Sequence, residues 1–437
     1  MSTSNVIWKS RWTFILAATG SAVGLGNIWK FPYITGEYGG GAFVLVYLGC
    51  ILLIGIPVMI AEVMIGRAGR SDPVHSMAKL SRESGRTTYW GALGAVGIAT
   101  GLMIMMFYSV VAGWALDYVA QSLMGSYSGI GTEQIKANFK ALEANTQRQL
   151  IWHTAFTVIT ASIVAGGVTK GIGKSVDILM PILFAFLLLL LGYSYFNGDF
   201  AAGLHFMFDT DFSKISAKAV LVAMGHAFFT LSLGMGAIMA YGAYFPGKAS
   251  IGKTVLTIAA LDTIIALVAG MAMFPLVFAN GLTPNEGPGL MFITLPIAFS
   301  SMNGGLFFGT IFFALVSIAA LSSSISLIEP GVAWAEKYGV KRPLSTFGLA
   351  GIAWLGGVAC IHYGDVFNAL DYITANIMLP LGGLFIAIFV GWILPQQRTG
   401  EEVSMGDGLL FKAWRFILRY IAPTCILLVF LNRLGFI

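Results

Sequence analysis

Charge is scarce in this sequence. Asp, Glu, Lys and Arg make up 10% of its 437 residues, against about a quarter in soluble domains. Cysteine is nearly absent. Cys50, Cys360 and Cys425 each sit in an apolar run, without the spacing of a zinc site or a disulfide framework, and read as small buried hydrophobes. Only five histidines occur. No His, Glu and Asp stand at ligand or nucleophile–base spacing, which argues against a membrane enzyme. There is no basic tail or Arg–aromatic stretch to bind nucleic acid. The repeated filter loops and charged rings of a channel are missing too.

What the chain has is apolar length. Hydrophobic residues reach 57%, mean hydropathy is +0.82, and there are 54 glycines, a residue that lets membrane helices pack closely. Lys9 and Arg11 precede the first apolar run as in a signal peptide. That run continues through Trp29 and Pro32 without a clean cleavage site, and ten more follow. A span needs about 20 mostly apolar residues. Eleven candidates run roughly over 11–34, 42–66, 90–121, 150–168, 175–195, 217–245, 252–279, 304–336, 344–361, 365–395 and 410–434. The expected fold class is an all-α polytopic membrane protein, with 1–437 as one domain. The connection 122–149 reads as a solvated loop with at most one amphipathic turn. The connection 280–303 reads as a hairpin or re-entrant cap over Leu290–Phe299.

Basic residues set the orientation. With the N-terminus inside, the cytoplasmic side receives Lys9, Arg11, Arg67, Arg70, Lys79, Arg82 and Arg86. It also receives Lys170, Lys174, Lys248, Lys253, Lys337, Lys341, Arg342, Arg398, Lys412, Arg415 and Arg419, so 18 of the 25 Lys and Arg. Eleven spans put Ile437 outside. In a prokaryote this is the inner, plasma membrane.

Two spans carry Gly-rich interruptions, Gly20-Ser21-Ala22-Val23-Gly24-Leu25-Gly26-Asn27 in span one and Thr230-Leu231-Ser232-Leu233-Gly234-Met235-Gly236 in span six. Each is first in a run of five. Five is odd, so the halves 11–195 and 217–395 must have opposite topology, with 410–434 as an additional helix. Matched interruptions in inverted halves point to a transporter's binding site. Packing seams are the other reading of such glycines. A freed amide in lipid costs several kcal/mol unless it finds a partner, so a break is tolerable only beside a cavity. There its amides attract a carboxylate and its carbonyls an ammonium or a desolvated sodium ion, which prefers hard oxygen ligands. Asn27, Thr230, Ser232, Asp262, Ser322 and Ser323 add oxygens in otherwise apolar spans.

The run Gly20–Pro32 resembles the first-helix signature of the neurotransmitter:sodium symporter family. Glu37-Tyr38-Gly39-Gly40-Gly41-Ala42-Phe43, Phe228–Gly234 and Leu321-Ser322-Ser323-Ser324-Ile325 also match. The likeness extends over spans one to ten and is nearest the prokaryotic amino-acid branch. That family is among those from which the inverted-repeat rule is drawn, so the two observations are not independent. The resemblance implies a five-plus-five inverted repeat, helices one and six unwound in mid-membrane, and sodium-driven uptake by alternating access.

It also implies residue roles. One sodium would meet the Ala22 carbonyl, Asn27, Thr230, Asp262 and the substrate carboxylate. A second would meet the Gly20, Val23 and Ala319 carbonyls with Ser322 and Ser323. The substrate carboxylate would meet the amides of Leu25 and Gly26 and the Tyr108 hydroxyl. Its ammonium would meet carbonyls near Ala22, Phe229 and Thr230, with Ser232. The side-chain pocket would be Ile104, Tyr108, Phe229, Met235, Ser324 and Leu327. Lys30 and Asp371 resemble the outer gate, with Phe229 and Tyr108 as its aromatic lid. Gly171 and Pro181 match the glycine-nine-proline motif by which span five unwinds. Glu62 would hydrogen-bond freed backbone in span six.

Some positions depart from the family. The cytoplasmic Arg–Asp gate is missing: Asn5 and Lys337 stand where its members belong, although Trp8 and Tyr244 fit, and Lys9 with Glu336 is the candidate substitute. His226 reads equally as a packed core histidine or a proton-linked one. Ser322 and Ser323 could also back-bond to their own helix. Ala266 stands where some chloride-independent members carry glutamate, and Asp262 could supply that charge, so chloride independence is expected. The pocket has no charge to pair with a charged side chain, and an unpaired one would be costly. A neutral, hydrophobic or aromatic amino acid is therefore expected. An amine carrier would want an acid near Gly20 or Gly24. An amino-acid sensor on the same fold remains a rival. The bilayer is the expected surrounding, and the sequence carries no signal of oligomeric state.

Overall fold

The computed structural model describes residues 7–127, 129–247, 249–284, 289–403 and 408–433. Asn5, Lys248 and Ile437 lie outside them. Among the described residues, seven helices are long and apolar enough to cross a membrane: Gly41–Gly69, Thr88–Leu123, Val168–Asn197, Ile251–Ala279, Gly305–Lys337, Arg342–His362 and Gly364–Ile393. These are spans two, three, five, seven, eight, nine and ten. Span four is Thr146–Ala165, span eleven Leu409–Arg433, and spans one and six are each interrupted. All eleven expected segments are helical.

Polar residues set the helix starts. Ser10 accepts from the Thr13 amide, Ser216 from Ala219 and Asp72 from Val74 and His75. Each satisfies amides that the first helical turn leaves free. Large apolar side chains such as Leu52, Leu53, Leu188 and Leu355 face outward, as a lipid-facing surface requires.

Two connections are more ordered than the sequence suggested. Within 122–149 lies a helix of 13 residues, Thr132–Ala144. Its apolar Ile135, Phe139 and Leu142 are buried; the i, i+4, i+7 spacing is one helical stripe. The patch in 280–303 is a helix over Leu290–Ser301, too short to span and so in keeping with a cap. Span five starts earlier than expected, at Val168, and runs on through Gly171 and Pro181.

Span one is helical over Arg11–Ala22, bends at Val23 and Gly24, and turns helical again from Leu25 into Gly26–Lys30. The first turn after the break is widened, with the Phe31 amide reaching the Gly26 carbonyl; such π-type turns often mark functional sites. Span six is helical over Ala217–Thr230 and Ala237–Ala243. Its break holds three positive φ angles, at Ser232 (54°), Gly234 (80°) and Gly236 (76°). At Gly234 a side chain is also excluded sterically, because a Cβ would lie 2.5 Å from the Leu379 carbonyl oxygen. The two breaks face each other against spans three and eight.

Candidate functional site

Both breaks leave backbone groups that side chains satisfy. Glu62, fully buried in span two, accepts the Gly234 amide at 2.7 Å. In span one the Gly24 amide donates to Asn27 Oδ1 at 3.2 Å and the Leu25 amide to the Tyr108 hydroxyl at 3.2 Å. The tyrosine oxygen thus lies where the resemblance puts a substrate carboxylate. Ser232 Oγ donates to the Ser21 carbonyl at 2.9 Å and ties the two breaks together.

Two oxygen clusters flank the first break. On one side, Asn27 Nδ2 donates to Asp262 Oδ1 at 2.7 Å, and the Thr230 hydroxyl donates to the same oxygen at 3.0 Å. All three side chains are buried. Because its nitrogen is engaged by Asp262, Asn27 turns its oxygen toward the break. On the other side, Ser322 Oγ donates to the Ala319 carbonyl at 3.0 Å and approaches the Val23 carbonyl at 3.4 Å. Ser323 Oγ donates to the Ser21 carbonyl at 3.0 Å and the Gly20 carbonyl at 3.2 Å. Ser322 thus makes the bond to its own helix, and both serines also reach across to span one. Hydroxyls rotate, so their lone pairs can turn to a cation.

Between the clusters lies a small cavity with about 20 Å³ of free space, room for about one water. Ala22, Gly26, Ile104, Tyr108, Phe229, Ser232, Met235 and Leu327 line it. Ser324 does not. It points to span four, where its hydroxyl lies 2.9 Å from that of Thr160. Helical geometry explains this correction: Ser323 and Leu327, four apart, share the cavity face, and Ser324 is turned about 100° away. Gly24, part of the expected break, also lines the cavity, as do Ser21 and Ser326, which were not anticipated as lining. The bond between the Ser21 and Ser326 hydroxyls, 2.7 Å, depends on pairing two distant spans and has no local sequence signal.

On the side of the cavity away from the N-terminus, Lys30 Nζ lies 3.1 Å from Asp371 Oδ1 and 5.0 Å from the centre of the Phe229 ring. Above this pair opens a chamber of about 690 Å³ that includes Trp29, Tyr33, Trp114, Phe367 and Asn368.

On the N-terminal side of the cavity, Trp8, Tyr244 and Glu336, singled out in the sequence, join a network with Glu329 and Arg342, which were not. Trp8 Nε1 donates to the Tyr241 carbonyl at 3.1 Å, and the Trp8 amide to the Tyr244 carbonyl at 3.0 Å. The Tyr244 hydroxyl donates to Glu329 at 3.3 Å. Arg342 bridges Glu329 and Glu336, the latter at 3.0 Å. Glu336 therefore pairs with Arg342, and the expected Lys9–Glu336 substitute is corrected. Glu329, fully buried within span eight, was the available signal, since an intramembrane carboxylate is functional by default. His226 packs against Phe31 and Tyr47 at 6.0 and 5.3 Å, and neither ring nitrogen has a hydrogen bond among the described residues.

Paired helix breaks, buried oxygen clusters beside them and a cavity between the clusters are the parts of a secondary transporter. A model of the sodium:neurotransmitter symporter family matches residues 6–130 and 133–435, and the chain belongs to that family. Its relatives include an uncharacterized sodium-dependent transporter YhdH of Bacillus subtilis, 35% identical with 98% of each chain covered. A serotonin transporter of Drosophila melanogaster is 25% identical, with 97% of this chain and 75% of that one covered. Among solved structures, MhsT in complex with L-phenylalanine is 42% identical, with a TM-score of 0.92 over 98% of this chain and 99% of that one. The chain is a transporter, not an enzyme.

Proposed function

We propose that this protein takes up a neutral, hydrophobic or aromatic amino acid together with two sodium ions, without chloride, by alternating access. One observation carries the reading: the cavity is apolar and borders Gly24, with no acid at Gly20 or Gly24. The cation beside Asn27 therefore draws a carboxylate from the substrate, and the substrate is an amino acid rather than a simple amine. The bound phenylalanine of MhsT supports an apolar side chain.

In this reading Ala22, Asn27, Thr230 and Asp262 hold the first sodium. Gly20, Val23, Ala319, Ser322 and Ser323 hold the second. The substrate carboxylate displaces the Tyr108 hydroxyl from the Leu25 amide and joins the Gly26 amide. Its ammonium meets carbonyls at Ala22, Phe229 and Thr230, with Ser232. Ile104, Tyr108, Phe229, Met235 and Leu327 take its side chain, and Phe229 and the pliable Met235 move to admit a ring. Asp262 supplies the negative charge that chloride would otherwise bring. Lys30–Asp371 and Arg342–Glu329 alternate as outer and inner gates, while 11–195 and 217–395 rock against each other as inverted halves. The protein sits in the plasma membrane with its N-terminus in the cytoplasm.

Two ions suffice energetically. Each gains about 2.3 kcal/mol from 100 mV and about 1.4 kcal/mol from a tenfold gradient. Together they give roughly 7 kcal/mol, a limit near 10⁵-fold accumulation. The test is a scintillation-proximity screen of the twenty amino acids with and without sodium. Apolar and aromatic substrates should bind only with sodium, and displacement by glutamate or lysine would contradict the reading.

A further inference from the structure

Span eleven opens with three basic side chains on one stripe, Lys412, Arg415 and Arg419. None takes part in an ion pair among the described residues, whereas nearby Arg67 and Arg398 pair with Glu402 and Glu83. Arg415 is 8% exposed. Its Nη1 donates to Thr399 Oγ1 at 2.8 Å and its Nη2 to the Leu394 carbonyl at 3.1 Å. Its Nε has no partner. Leu394 follows the last turn of span ten, so its carbonyl offers only part of the half charge at a helix C-terminus. Arg419, one turn on, lies 4.5 Å from the centre of the Trp392 ring, and its Nε is also buried without a partner. Lys412, one turn before, is exposed.

A buried guanidinium with neutral partners alone is expensive. The surroundings indicate what neutralises it. Leu409, Leu410, Phe416, Tyr420 and Trp392 are all exposed around the cluster. Trp and Tyr in such a position mark the membrane–water interface. The site lies on the face that carries Glu83 and Arg67, where the chain concentrates its basic residues.

We propose that Arg415, Arg419 and Lys412 bind the phosphate of an anionic phospholipid in the leaflet on that face. A phosphodiester offers acceptor oxygens in the geometry a guanidinium fork fits. Exposed Lys412 and half-buried Arg419 are the groups a phosphate can reach, and buried Arg415 adds its charge behind them. Exposed Leu427 and Leu428 farther along span eleven offer apolar surface to the acyl chains. Basic pockets between membrane helices are suited to acidic headgroups. The site is remote from the transport cavity and independent of what is carried.

The test is native mass spectrometry of the full, delipidated protein titrated with phosphatidylglycerol or phosphatidylcholine of identical chains. Arg415 also fastens the end of span ten, so the variants are Arg419→Gln and Lys412→Gln, which leave those bonds intact. The wild type should retain phosphatidylglycerol in preference to phosphatidylcholine. Each variant should weaken phosphatidylglycerol about fivefold, the equivalent of about 1 kcal/mol per basic residue, and leave phosphatidylcholine unchanged. Equal retention of the two lipids, or phosphatidylglycerol binding unaffected in the double variant, would overturn the proposal. Displacement of phosphatidylglycerol by millimolar inorganic phosphate would assign the site to a free anion and overturn its lipid source.

Discussion

Replacing Asp262 by Asn removes one charge and keeps the side chain's shape. In the wild type its Oδ1 lies 2.7 Å from Asn27 Nδ2 and 3.0 Å from Thr230 Oγ1. A cation held by Asn27, Thr230 and Asp262 sits within about 4 Å of the carboxylate, where opposite charges attract by at least about 4 kcal/mol at an effective dielectric constant near 20. The variant recovers part of this, because the buried carboxylate no longer has to be kept charged away from water. A net loss of about 1.5–3 kcal/mol raises the half-saturating sodium concentration about tenfold to a hundredfold. The assay is sodium-dependent binding of labelled phenylalanine to purified protein, with thermal unfolding as a control for folding. A sodium dependence shifted less than about twofold, in a folded variant, would refute the assignment of Asp262 to a cation site.

Other changes test other parts. Gly24→Ala puts a Cβ 2.3 Å from Ser323 Oγ and 2.7 Å from the Tyr108 hydroxyl, so substrate binding should be lost while the protein still folds; retained binding in an equilibrium assay would contradict the close approach. Ser322→Ala removes one oxygen ligand, worth about 1 kcal/mol, and should raise the sodium requirement about fivefold in the same measurement. Arg342→Ala leaves buried Glu329 unpaired, at a cost of about 3–5 kcal/mol. It should expose a cysteine placed at Tyr244 to a water-soluble thiol reagent from the N-terminal face, and unchanged labelling would rule out the inner gate. Lys30→Ala should speed release of bound substrate to the outer side, whereas chloride-free gluconate buffer should leave wild-type uptake unchanged.

Local patterns made much of this legible in the sequence. Apolar runs gave the eleven helical segments, since backbone in lipid has few alternatives to helix. The clustered glycines marked both breaks, and Asn27, Asp262, Ser322 and Ser323 stood out as oxygens in apolar spans. What escaped notice depends on facing side chains. Ser324 is adjacent to Ser323 in sequence but turned to Thr160, a rotation of one residue that motif matching does not register. Arg342 lies just outside span nine by composition, and only the folded chain brings it to Glu329 in span eight. The helix Thr132–Ala144 was hidden by its polar composition, because three buried residues in 13 suffice to seat it on its neighbours.

The central claim is that both breaks together couple an apolar amino acid to sodium. It is tested most directly by uptake of labelled phenylalanine into proteoliposomes under an inward sodium gradient. Accumulation above the external concentration is predicted, abolished when choline replaces sodium and when Gly24→Ala replaces the wild type. Equal uptake without sodium, or binding without any accumulation, would contradict it.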